Sequence, residues 1–483
     1  MTTPIPWITA DVLKATGGEL LCGDIQCAFA GVSIDSRRIT PNDLFIAIKG
    51  EVHDGHSFAG DVIKSGVRGV VIGKNNIDTP SGRLCRQKKV VCIAVTDTTK
   101  ALGGLAAFQR KRSSVSVVAI TGSNGKTTTR TMTAAVVARC FRTLATCGNL
   151  NNEIGLPLTL LDINPDHQWA VVELGMNRPG EIANLAEICR PNIGVITNIG
   201  PAHLEGLGSV DAVMQAKGEL LTKIGPDGTA VLNADDPRLL QLADKTAANV
   251  LLFGISQRAR VRAQSIQTKG LGLVFTLTLP STSISVELGT PGSFMVSNAL
   301  AAAAVGHLLG VGAAEIKNGL EGFVPVKGRL NILKTRRNIH IIDDTYNANP
   351  GSMSAAIATL QALKQDRRGI LIIGDMLELG QHSESMHRMI GALIARSKIA
   401  RVYATGMFAQ AVAAGARDED MDSGNIMIGS KDEIFQHVTV WLGPGDWVLV
   451  KGSRSMAMET IVAKLVDWAN GQTGQRANRR TDQ

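Results

Sequence analysis

Hydrophobic and polar residues alternate along this chain of 483 residues in blocks that predict strands followed by helices. The first blocks are the apolar runs LFIAIKG, GVVIG and VCIAV, separated by turn residues and followed by a helix around ALGGLAAFQRK. From Ser116 the alternation restarts with VVAI, a glycine-containing loop and the helical run TTRTMTAAVVARCF, and strands recur at WAVVEL, NIGVITNIG and TAVLNA. Because strands that alternate with helices pair in parallel, this region predicts a parallel, doubly wound sheet.

The pattern changes twice more toward the C-terminus. Residues 263–288 alternate as strands without helices, and the Ala-rich window 298–314 predicts a buried helix, since it is shorter than the ~20 residues that span a bilayer. Beyond Gly328 strands and helices alternate again, which predicts a second doubly wound, Rossmann-like sheet. We therefore predict an α/β protein with a small N-terminal α/β domain (1–108), a central domain with a P-loop-type parallel sheet (109–326), a C-terminal domain (327–470) and a disordered tail (471–483).

Composition and charge narrow the classes of partner. The chain is 44% hydrophobic and 19% charged, with 51 glycines, as is typical of a folded α/β protein. Its net charge of +8 comes from scattered lysines and arginines, so nucleotides and phosphate-bearing small substrates fit better than nucleic acid. The cysteines form no CxxC pair, and the N-terminus MTTPIPWITADV lacks the regions of a signal peptide. Both features favour a reducing cytoplasm, and we expect no membrane span.

The sharpest local signal is VVAITGSNGKTTT, residues 117–129. In such a loop, backbone N–H groups and a helix N-terminus face phosphates, the lysine supplies charge to the β and γ oxygens, and a threonine can bind Mg²⁺. A full Walker A motif has glycine where Ile120 stands. A plain strand-to-helix turn is the alternative, but it seldom combines Gly, Lys and three threonines. The predicted ATP-binding residues here are Gly122, Ser123, Asn124, Gly125, Lys126, Thr127 and Thr128, with Thr127 also a metal ligand.

Three further residues follow or flank predicted core elements. Glu173 ends the strand WAVVEL, and ligands bind at the carboxyl ends of strands in open α/β sheets, so Glu173 is a candidate Mg²⁺ ligand. His203 follows NIGVITNIG and can face the same cleft, although a lone histidine is more often structural. Lys217 lies in the apolar helical segment AKGEL, where a lysine that snorkels to solvent is the alternative.

These features together resemble the Mur ligase family, whose members join an amino acid or a dipeptide to a UDP-muramoyl substrate. The resemblance spans nearly the whole chain, and the family's P-loop form TGxNGKTTT stands at 121–129, which explains the departure from Walker A. The resemblance implies that Glu173 and His203 bind Mg²⁺ and that Lys217 is carbamylated and bridges toward a second Mg²⁺. It also implies catalytic roles for Lys126, His203 and Lys217, with Lys126 and His203 stabilising an oxyanion.

Several blocks are similar to the family members that use D-alanyl-D-alanine as the amine and UDP-N-acetylmuramoyl-tripeptide as the acceptor in cell-wall synthesis. The blocks are SIDSRRITPNDLFIAIKGEVHDGHSF (33–58), GNLNNEIGLPLTLL (148–161), ELGMNRPGEI, VLNADDP, DDTYNANPGSM (343–353) and IIGDMLELG (372–380). The resemblance implies that the first domain binds the UDP part through Ser33, Asp35, Ser36 and Arg37. It places Asn149, Asn151 and Asn152 near the chemistry, although each asparagine also fits a tight turn.

The resemblance implies that ATP also contacts the C-terminal domain. The implied residues are Asp344, Tyr346, Asn347 and Asn349 on ribose and base, Arg329 on the phosphates and Asn298 on the adenine side. Relatives commonly read G-R-H-N-x-x-N where this chain reads GSFMVSN (292–298). Phe294 and Met295 thus replace a histidine and an asparagine, which leaves the adenine-side contacts open.

The reaction that the resemblance implies is amide formation through an acyl phosphate, with ATP and two Mg²⁺. Closure of the C-terminal domain over ATP excludes water from that intermediate, and we expect a monomer. A sister ligase that adds a diamino acid and a folate polyglutamate-type ligase are alternatives, against which DDTYNANPGSM and GNLNNEIGLP argue. A P-loop ATPase or switch protein without ligase activity is the alternative from another class.

Overall fold

The computed structural model describes residues 5–50 and 52–471, and within these ranges the strands form four sheets. The predicted α/β class is confirmed, since parallel strands dominate the three large sheets. None of the helices in the described ranges combines the length and the apolar character needed to cross a membrane. Apart from Gly471, the predicted tail lies outside the described residues.

The N-terminal region contains a five-stranded sheet and a two-stranded ribbon. Its elements are β1 (Trp7–Ile8), α1 (Thr9–Thr16), β2 (Glu19–Cys22), β3 (Ala28–Phe29), β4 (Val32–Ser33), β5 (Leu44–Ile46), α2 (His56–Lys64), β6 (Gly69–Gly73), α3 (Pro80–Lys88), β7 (Val91–Val95) and α4 (Thr98–Arg112). The sheet order is β2-β7-β6-β5-β4, with β2 antiparallel to β7 and the other pairs parallel, while β1 pairs with β3. β5 and β7 are buried along their whole length, as expected for parallel strands covered on both faces.

The central region is built on a nine-stranded sheet in the order β16-β15-β14-β13-β12-β11-β8-β10-β9. Its elements are β8 (Ser116–Thr121), α5 (Lys126–Val137), β9 (Thr143–Ala145), α6 (Gly155–Leu161), β10 (Trp169–Glu173), α7 (Glu181–Cys189), β11 (Ile193–Ile196), α8 (Leu204–Leu207), α9 (Val210–Gly218), β12 (Thr229–Asn233), α10 (Pro237–Ala243), β13 (Asn249–Gly254), β14 (Val261–Lys269), β15 (Gly272–Leu279), β16 (Thr282–Leu288), α11 (Phe294–Leu308) and α12 (Ala313–Glu321). β14, β15 and β16 follow one another without helices, as the alternation over 263–288 predicts, and the structure pairs them antiparallel. The chain leaves β8 toward both sides of the sheet, so the carboxyl end of β8 is a topological switch point, where open α/β sheets bind ligands.

The C-terminal region is a six-stranded sheet in the order β17-β18-β22-β19-β20-β21. Its elements are β17 (Asn331–Lys334), β18 (His340–Asp344), α13 (Pro350–Lys364), β19 (Gly369–Ile373), α14 (Ser383–Arg396), β20 (Arg401–Ala404), α15 (Ala409–Asp418), β21 (Ile426–Ile428), α16 (Lys431–Trp441), β22 (Trp447–Lys451) and α17 (Glu459–Ala469). Only β17 runs antiparallel to its neighbour in this sheet. The elements β17, α15, β21, α16 and α17 are additional to those that the sequence pattern predicts.

The predicted boundaries between domains stay predictions. α4 runs through residue 108, and the first strand of the C-terminal sheet begins at Asn331. The Ala-rich helix α11 begins four residues before the predicted window and ends at Leu308, because Gly310 has a φ of +70° that a helix cannot continue. α11 is buried for most of its length and places its N-terminal turn beside the carboxyl end of β8.

Candidate functional site

A cleft of about 1370 Å³ lies where the strand ends of the central sheet face the loops of the C-terminal sheet. The central sheet contributes the loop after β8, the loop after β9, the end of β10, the loop after β11 and the first turn of α11. The C-terminal region contributes Arg329, the segment 344–349, the pair 377–378 and the loop 453–455. The cleft therefore belongs to two regions at once, and most of the predicted site residues line it.

The loop between β8 and α5 is folded so tightly that two positions require glycine. Gly122 has a φ of +151°, and a Cβ there would lie 1.9 Å from Thr197 Oγ1. Gly125 has a φ of +80°, and a Cβ there would lie 2.3 Å from Asn298 Oδ1. Because α5 begins at the next residue, its first backbone N–H groups open into the cleft and form an anion-binding end.

Lys126 and Thr127 are the first two residues of α5 and directly follow this loop. Lys126 Nζ donates to the carbonyl oxygen of Gly122 at 2.8 Å. Burial lowers the pKa of Lys126, and Arg329 adds to this effect, whereas Glu173 and Glu378 oppose it. Thr127 Oγ1 accepts a hydrogen bond from Arg329 Nη2 at 2.9 Å, so the C-terminal region touches the phosphate-binding loop directly.

Glu173 ends β10 as a buried carboxylate, 2% exposed, with one oxygen that lacks a donor. Its Oε1 accepts from Asn151 Nδ2 at 2.9 Å, while Oε2 lies 3.8 Å from Arg130 Nε, too far for a hydrogen bond. Both Oε2 and Arg130 Nε are buried without a hydrogen-bond partner among the described residues. An oxygen left free in this way fits a hard cation such as Mg²⁺.

The described residues contain no group of three or more His, Cys, Asp and Glu side chains placed to hold a metal ion. Mg²⁺ is usually held by one or two protein oxygens together with water and substrate phosphates, and this site offers such a set in Glu173 and Thr127. The residues present therefore fit Mg²⁺ when a nucleotide supplies further oxygens.

His203 is joined to a residue of the C-terminal region that the sequence analysis missed. His203 Nδ1 lies 2.6 Å from Glu378 Oε2. The hydrogen bond from His203 lowers the pKa of Glu378, which keeps the carboxylate ionised. Glu378 lies five residues after β19, in the block IIGDMLELG. Its position near the carboxyl end of a strand is the sequence feature that could have identified it as a site residue.

Lys217 is 1% exposed in α9 and does not line the cleft. Burial lowers its pKa well below the ordinary value, and the nearby charge of Lys126 acts in the same direction. No carboxylate pairs with Lys217 in the part of the chain that the structure describes. The snorkelling alternative does not apply, because the side chain stays inside the protein. A neutral amine is the form that reacts with CO₂.

The segment 344–349 is held by an ion pair that the sequence analysis also missed. Lys451, at the end of β22, donates to Asp344 Oδ2 at 2.6 Å and to the carbonyl oxygen of Asn347 at 2.8 Å. Asn349 caps α13 through Ser352 and donates to Asn124 Oδ1 in the phosphate-binding loop at 2.8 Å. These contacts place the segment against the loop after β8.

The guanidinium of Arg329 lies 4.2 Å from the ring centroid of Tyr346, and its Nε is buried without a partner among the described atoms. Asn298 is 4% exposed, and its Oδ1 accepts from Thr129 Oγ1 at 3.1 Å. Its Nδ2 lies 3.8 Å from Met295 Sδ, so Met295 supports Asn298, while Phe294 lines the cleft.

The candidate UDP-binding residues lie apart from this cleft. Ser33 ends β4, and Asp35, Ser36 and Arg37 follow it; none of the four lines the cleft. Arg37 Nε donates to Asp35 Oδ1 at 2.9 Å, and this contact lowers the pKa of Asp35 to about 2. The Arg37 side chain is 86% exposed, so it can turn toward a ligand.

The three asparagines after β9 all line the cleft but make different contacts. Asn151 bonds Glu173, as described above. Asn152 Oδ1 accepts the N–H groups of Ile154 and Gly155 at 3.2 and 2.8 Å, which is the turn contact given as the alternative for these residues. For Asn149 no side-chain hydrogen bond is present among the described residues.

Three family models match this chain in succession. The model described as "Mur ligase family, catalytic domain" matches residues 28–110, "Mur ligase middle domain" matches residues 120–306, and "Mur ligase, glutamate ligase domain" matches residues 328–454. The order of the matches follows the order of the three large sheets.

Individual relatives match over almost their full length. The UDP-N-acetylmuramoyl-tripeptide–D-alanyl-D-alanine ligase of Escherichia coli (strain K12) is 37% identical over 454 residues, covering 92% of this chain and 96% of that protein. A crystal structure of MurF from Acinetobacter baumannii superposes with a TM-score of 0.88 at 33% identity, covering 96% of this chain and 99% of that one. The crystal structure of MurF ligase from Thermotoga maritima in complex with ADP superposes with a TM-score of 0.78 at 26% identity, covering 90% and 96%.

Proposed function

This chain belongs to the Mur ligase family, and from that premise we propose that its cleft joins D-alanyl-D-alanine to UDP-N-acetylmuramoyl-tripeptide at the expense of ATP. The observation that carries the proposal is the similarity to the Escherichia coli ligase along 92% of the chain. The product is a precursor of cell-wall peptidoglycan. The glycine-dependent loop that opens into the cleft supplies the ATP site that such a ligase needs.

Amide formation from a free carboxylate is uphill, so the carboxylate of the tripeptide is first activated. The γ-phosphoryl group of ATP passes to a carboxylate oxygen, which gives an acyl phosphate and ADP. The amine of D-alanyl-D-alanine then attacks the acyl carbon and forms the C–N bond. The C–O bond to the phosphoryl group breaks, phosphate leaves with the bonding electrons, and the nitrogen gives up a proton to water or to the departing phosphate. Lys126 and the first N–H groups of α5 bind the phosphate oxygens throughout, and they stabilise the charge that develops.

The nucleotide is held from both sides of the cleft. Arg329 reaches the phosphates through the buried Nε that has no protein partner among the described residues. The loop after β8 binds the triphosphate through Gly122, Ser123, Asn124, Gly125, Lys126, Thr127 and Thr128. The ribose and base contact Asn298, Asp344, Tyr346, Asn347 and Asn349.

Mg²⁺ neutralises phosphate oxygens when it is bound, and the residues that would hold it are Thr127, Glu173 and His203. Asn151 fixes one oxygen of Glu173 and leaves the other toward the ion. Lys217, whose pKa is lowered by burial, would carry the carbamate that the family resemblance implies. His203 would also donate to the oxyanion.

The acceptor substrate is long enough to need more than one binding region. Ser33, Asp35, Ser36 and Arg37 bind the uridine end near the N-terminal sheet, outside the cleft. Asn149, Asn151 and Asn152 meet the peptide end inside it. One copy of the chain then carries all the regions that the substrate needs, in agreement with a monomer.

Phosphate release in the presence of ATP, Mg²⁺ and UDP-N-acetylmuramoyl-tripeptide tests the proposal. We expect turnover with D-alanyl-D-alanine and a product heavier by one dipeptide in mass spectrometry, and none with a single D-amino acid or a diamino acid. Turnover with another amine alone would identify a sister ligase. ATP hydrolysis that a protein partner stimulates, without any amide product, would identify a switch protein.

A further inference from the structure

The strongest unassigned contact lies between the loop after β11 and the loop after β19, which belong to different sheets. His203 Nδ1 lies 2.6 Å from Glu378 Oε2, and the backbone N–H of Glu205 donates to the carbonyl oxygen of Glu378 at 3.0 Å. We infer that Glu378 is a positioning residue that fixes the imidazole of His203 across the boundary between the central and C-terminal regions. The inference rests on the proposed function, in which His203 faces metal and substrate.

The backbone on both sides is shaped for this contact. His203 has a φ of +56° and Glu378 a φ of +63°, a left-handed conformation that costs a residue with a side chain about 1–2 kcal/mol. The two loops also approach closely, since a Cβ on Gly380 would lie 3.2 Å from Glu205 Cα. The contact therefore joins a mostly buried imidazole to a half-exposed carboxylate on two loops that also contact each other through their backbones.

The chemistry of the pair sets the tautomer of the ring. Because Glu378 Oε2 lies 2.6 Å from Nδ1 and a carboxylate oxygen is a hydrogen-bond acceptor, the contact favours the tautomer in which Nδ1 carries the proton and Nε2 keeps its lone pair. No hydrogen bond to Nε2 is present among the described residues. A histidine that binds a metal commonly donates its second nitrogen to a carboxylate in this way, which fixes the ring and raises its basicity.

The position of Glu378 adds a coupling between domains. Glu378 lies in the region that also carries Arg329 and Asp344, the candidate nucleotide residues. The ring of His203 is therefore oriented only when the C-terminal region is seated against the central sheet.

Kinetic comparison of Glu378→Ala and Glu378→Gln with the wild type tests the inference, and Glu384→Gln serves as the matched control because that carboxylate is exposed at the start of α14. We expect Glu378→Ala to lower kcat by about 10- to 100-fold and to raise the Mg²⁺ concentration for half-maximal rate, with KM for ATP unchanged. Glu378→Gln should be intermediate, because its amide oxygen still accepts from Nδ1 without the charge. A kcat for Glu378→Ala equal to that of Glu384→Gln would overturn the inference, as would a change in KM for ATP alone.

A spectroscopic readout separates this inference from the proposed function. In metal-free protein labelled with ¹⁵N-histidine, the ring signal that disappears in His203→Gln should show the Nδ1–H tautomer in the wild type and a tautomer mixture in Glu378→Ala. An unchanged tautomer in Glu378→Ala would show that the contact is only structural and would refute the inference. If the wild type makes no product from D-alanyl-D-alanine, the proposed function fails, while the tautomer still decides the role of Glu378.

Discussion

The substitution Gly125→Ala is expected to weaken nucleotide binding by forcing the phosphate-binding loop to shift. Gly125 has a φ of +80°, and the added Cβ would lie 2.3 Å from Asn298 Oδ1, well inside van der Waals contact. Asn298 is buried and already accepts from Thr129 Oγ1, so it cannot move without breaking that hydrogen bond. The loop must therefore shift, and its N–H groups shift with it.

The free-energy cost of Gly125→Ala has a conformational part and a steric part, and a second glycine of the chain serves as a control that separates them. The left-handed conformation alone costs an alanine about 1–2 kcal/mol. Gly180→Ala measures the conformational cost alone. Gly180 has a φ of +86° and, like Gly125, directly precedes a helix, but a Cβ there would meet nothing within 4 Å. Overpacking against Asn298 adds about 1–3 kcal/mol, which corresponds to about 5- to 150-fold weaker binding if the loop relaxes at the expense of the ligand.

Isothermal titration with ADP measures the binding, and thermal unfolding of both variants measures the strain. We expect Gly125→Ala to bind ADP at least fivefold more weakly than Gly180→Ala, whose affinity should equal that of the wild type. Adding Gly125→Ala to an Asn298→Ala background should cost only the conformational part in thermal stability, as a double-mutant cycle would show. Equal ADP affinity for Gly125→Ala and Gly180→Ala would refute the reasoning.

Further predictions concern three buried side chains. Lys451→Met leaves the Asp344 carboxylate without its ammonium partner and should lower the free energy of unfolding by about 3–5 kcal/mol, with part recovered when Asp344→Asn is added; urea unfolding that shows no loss would contradict this. In CO₂-free buffer at about pH 7, Lys217→Met should be more stable than the wild type, because burial disfavours the charged ammonium, as the lowered pKa of Lys217 shows. Wild-type stability should rise with pH from the lowered folded pKa up to the ordinary value of 10.5, so the gap between the two proteins in urea unfolding should narrow over that window. Burial raises the pKa of Cys189 to about 12, so this thiol should not react with a thiol reagent at about pH 8. Peptide mapping after the treatment should show that the exposed Cys140 is modified and that Cys189 is intact. Preferential labelling of Cys189 would contradict this prediction and show that its helix opens.

The sequence predicts those parts of the fold that depend on local pattern. Strands such as β8 and β19 are continuous apolar runs bounded by turn residues, so their hydrophobic period identifies them. β17 is short, partly exposed and antiparallel at an edge, and α16 has a mixed pattern, so neither stands out from the surrounding sequence. The exact limits of α11 depend on the left-handed Gly310, which only the backbone reveals.

The candidate site also contains some residues that the local sequence pattern predicts and others that only the fold brings together. The loop after β8 and Glu173 are local signals, since the loop directly follows an apolar strand and Glu173 is the last residue of another. Lys451 is 107 residues from Asp344, and Glu378 is 175 residues from His203, so their pairing depends on which strand ends the fold brings together. Sequence patterns find the residues that bind ligands more readily than the residues that hold them in place.

The contacts between the central and C-terminal regions are polar and use atoms that a nucleotide would also use. Thr127 Oγ1, a candidate Mg²⁺ ligand, is bonded to Arg329, a candidate phosphate ligand, and Asn124 of the phosphate-binding loop is bonded to Asn349. With the roles proposed above for Thr127 and Arg329, binding of Mg²⁺ and ATP would exchange these bonds for bonds to the ligand. The pair of Lys451 with Asp344, in contrast, lies within one region and does not have to be exchanged. Because polar interfaces of this kind contribute little net stability, we expect the position of the C-terminal region to depend on the ligand, while the pair of Lys451 with Asp344 stays intact.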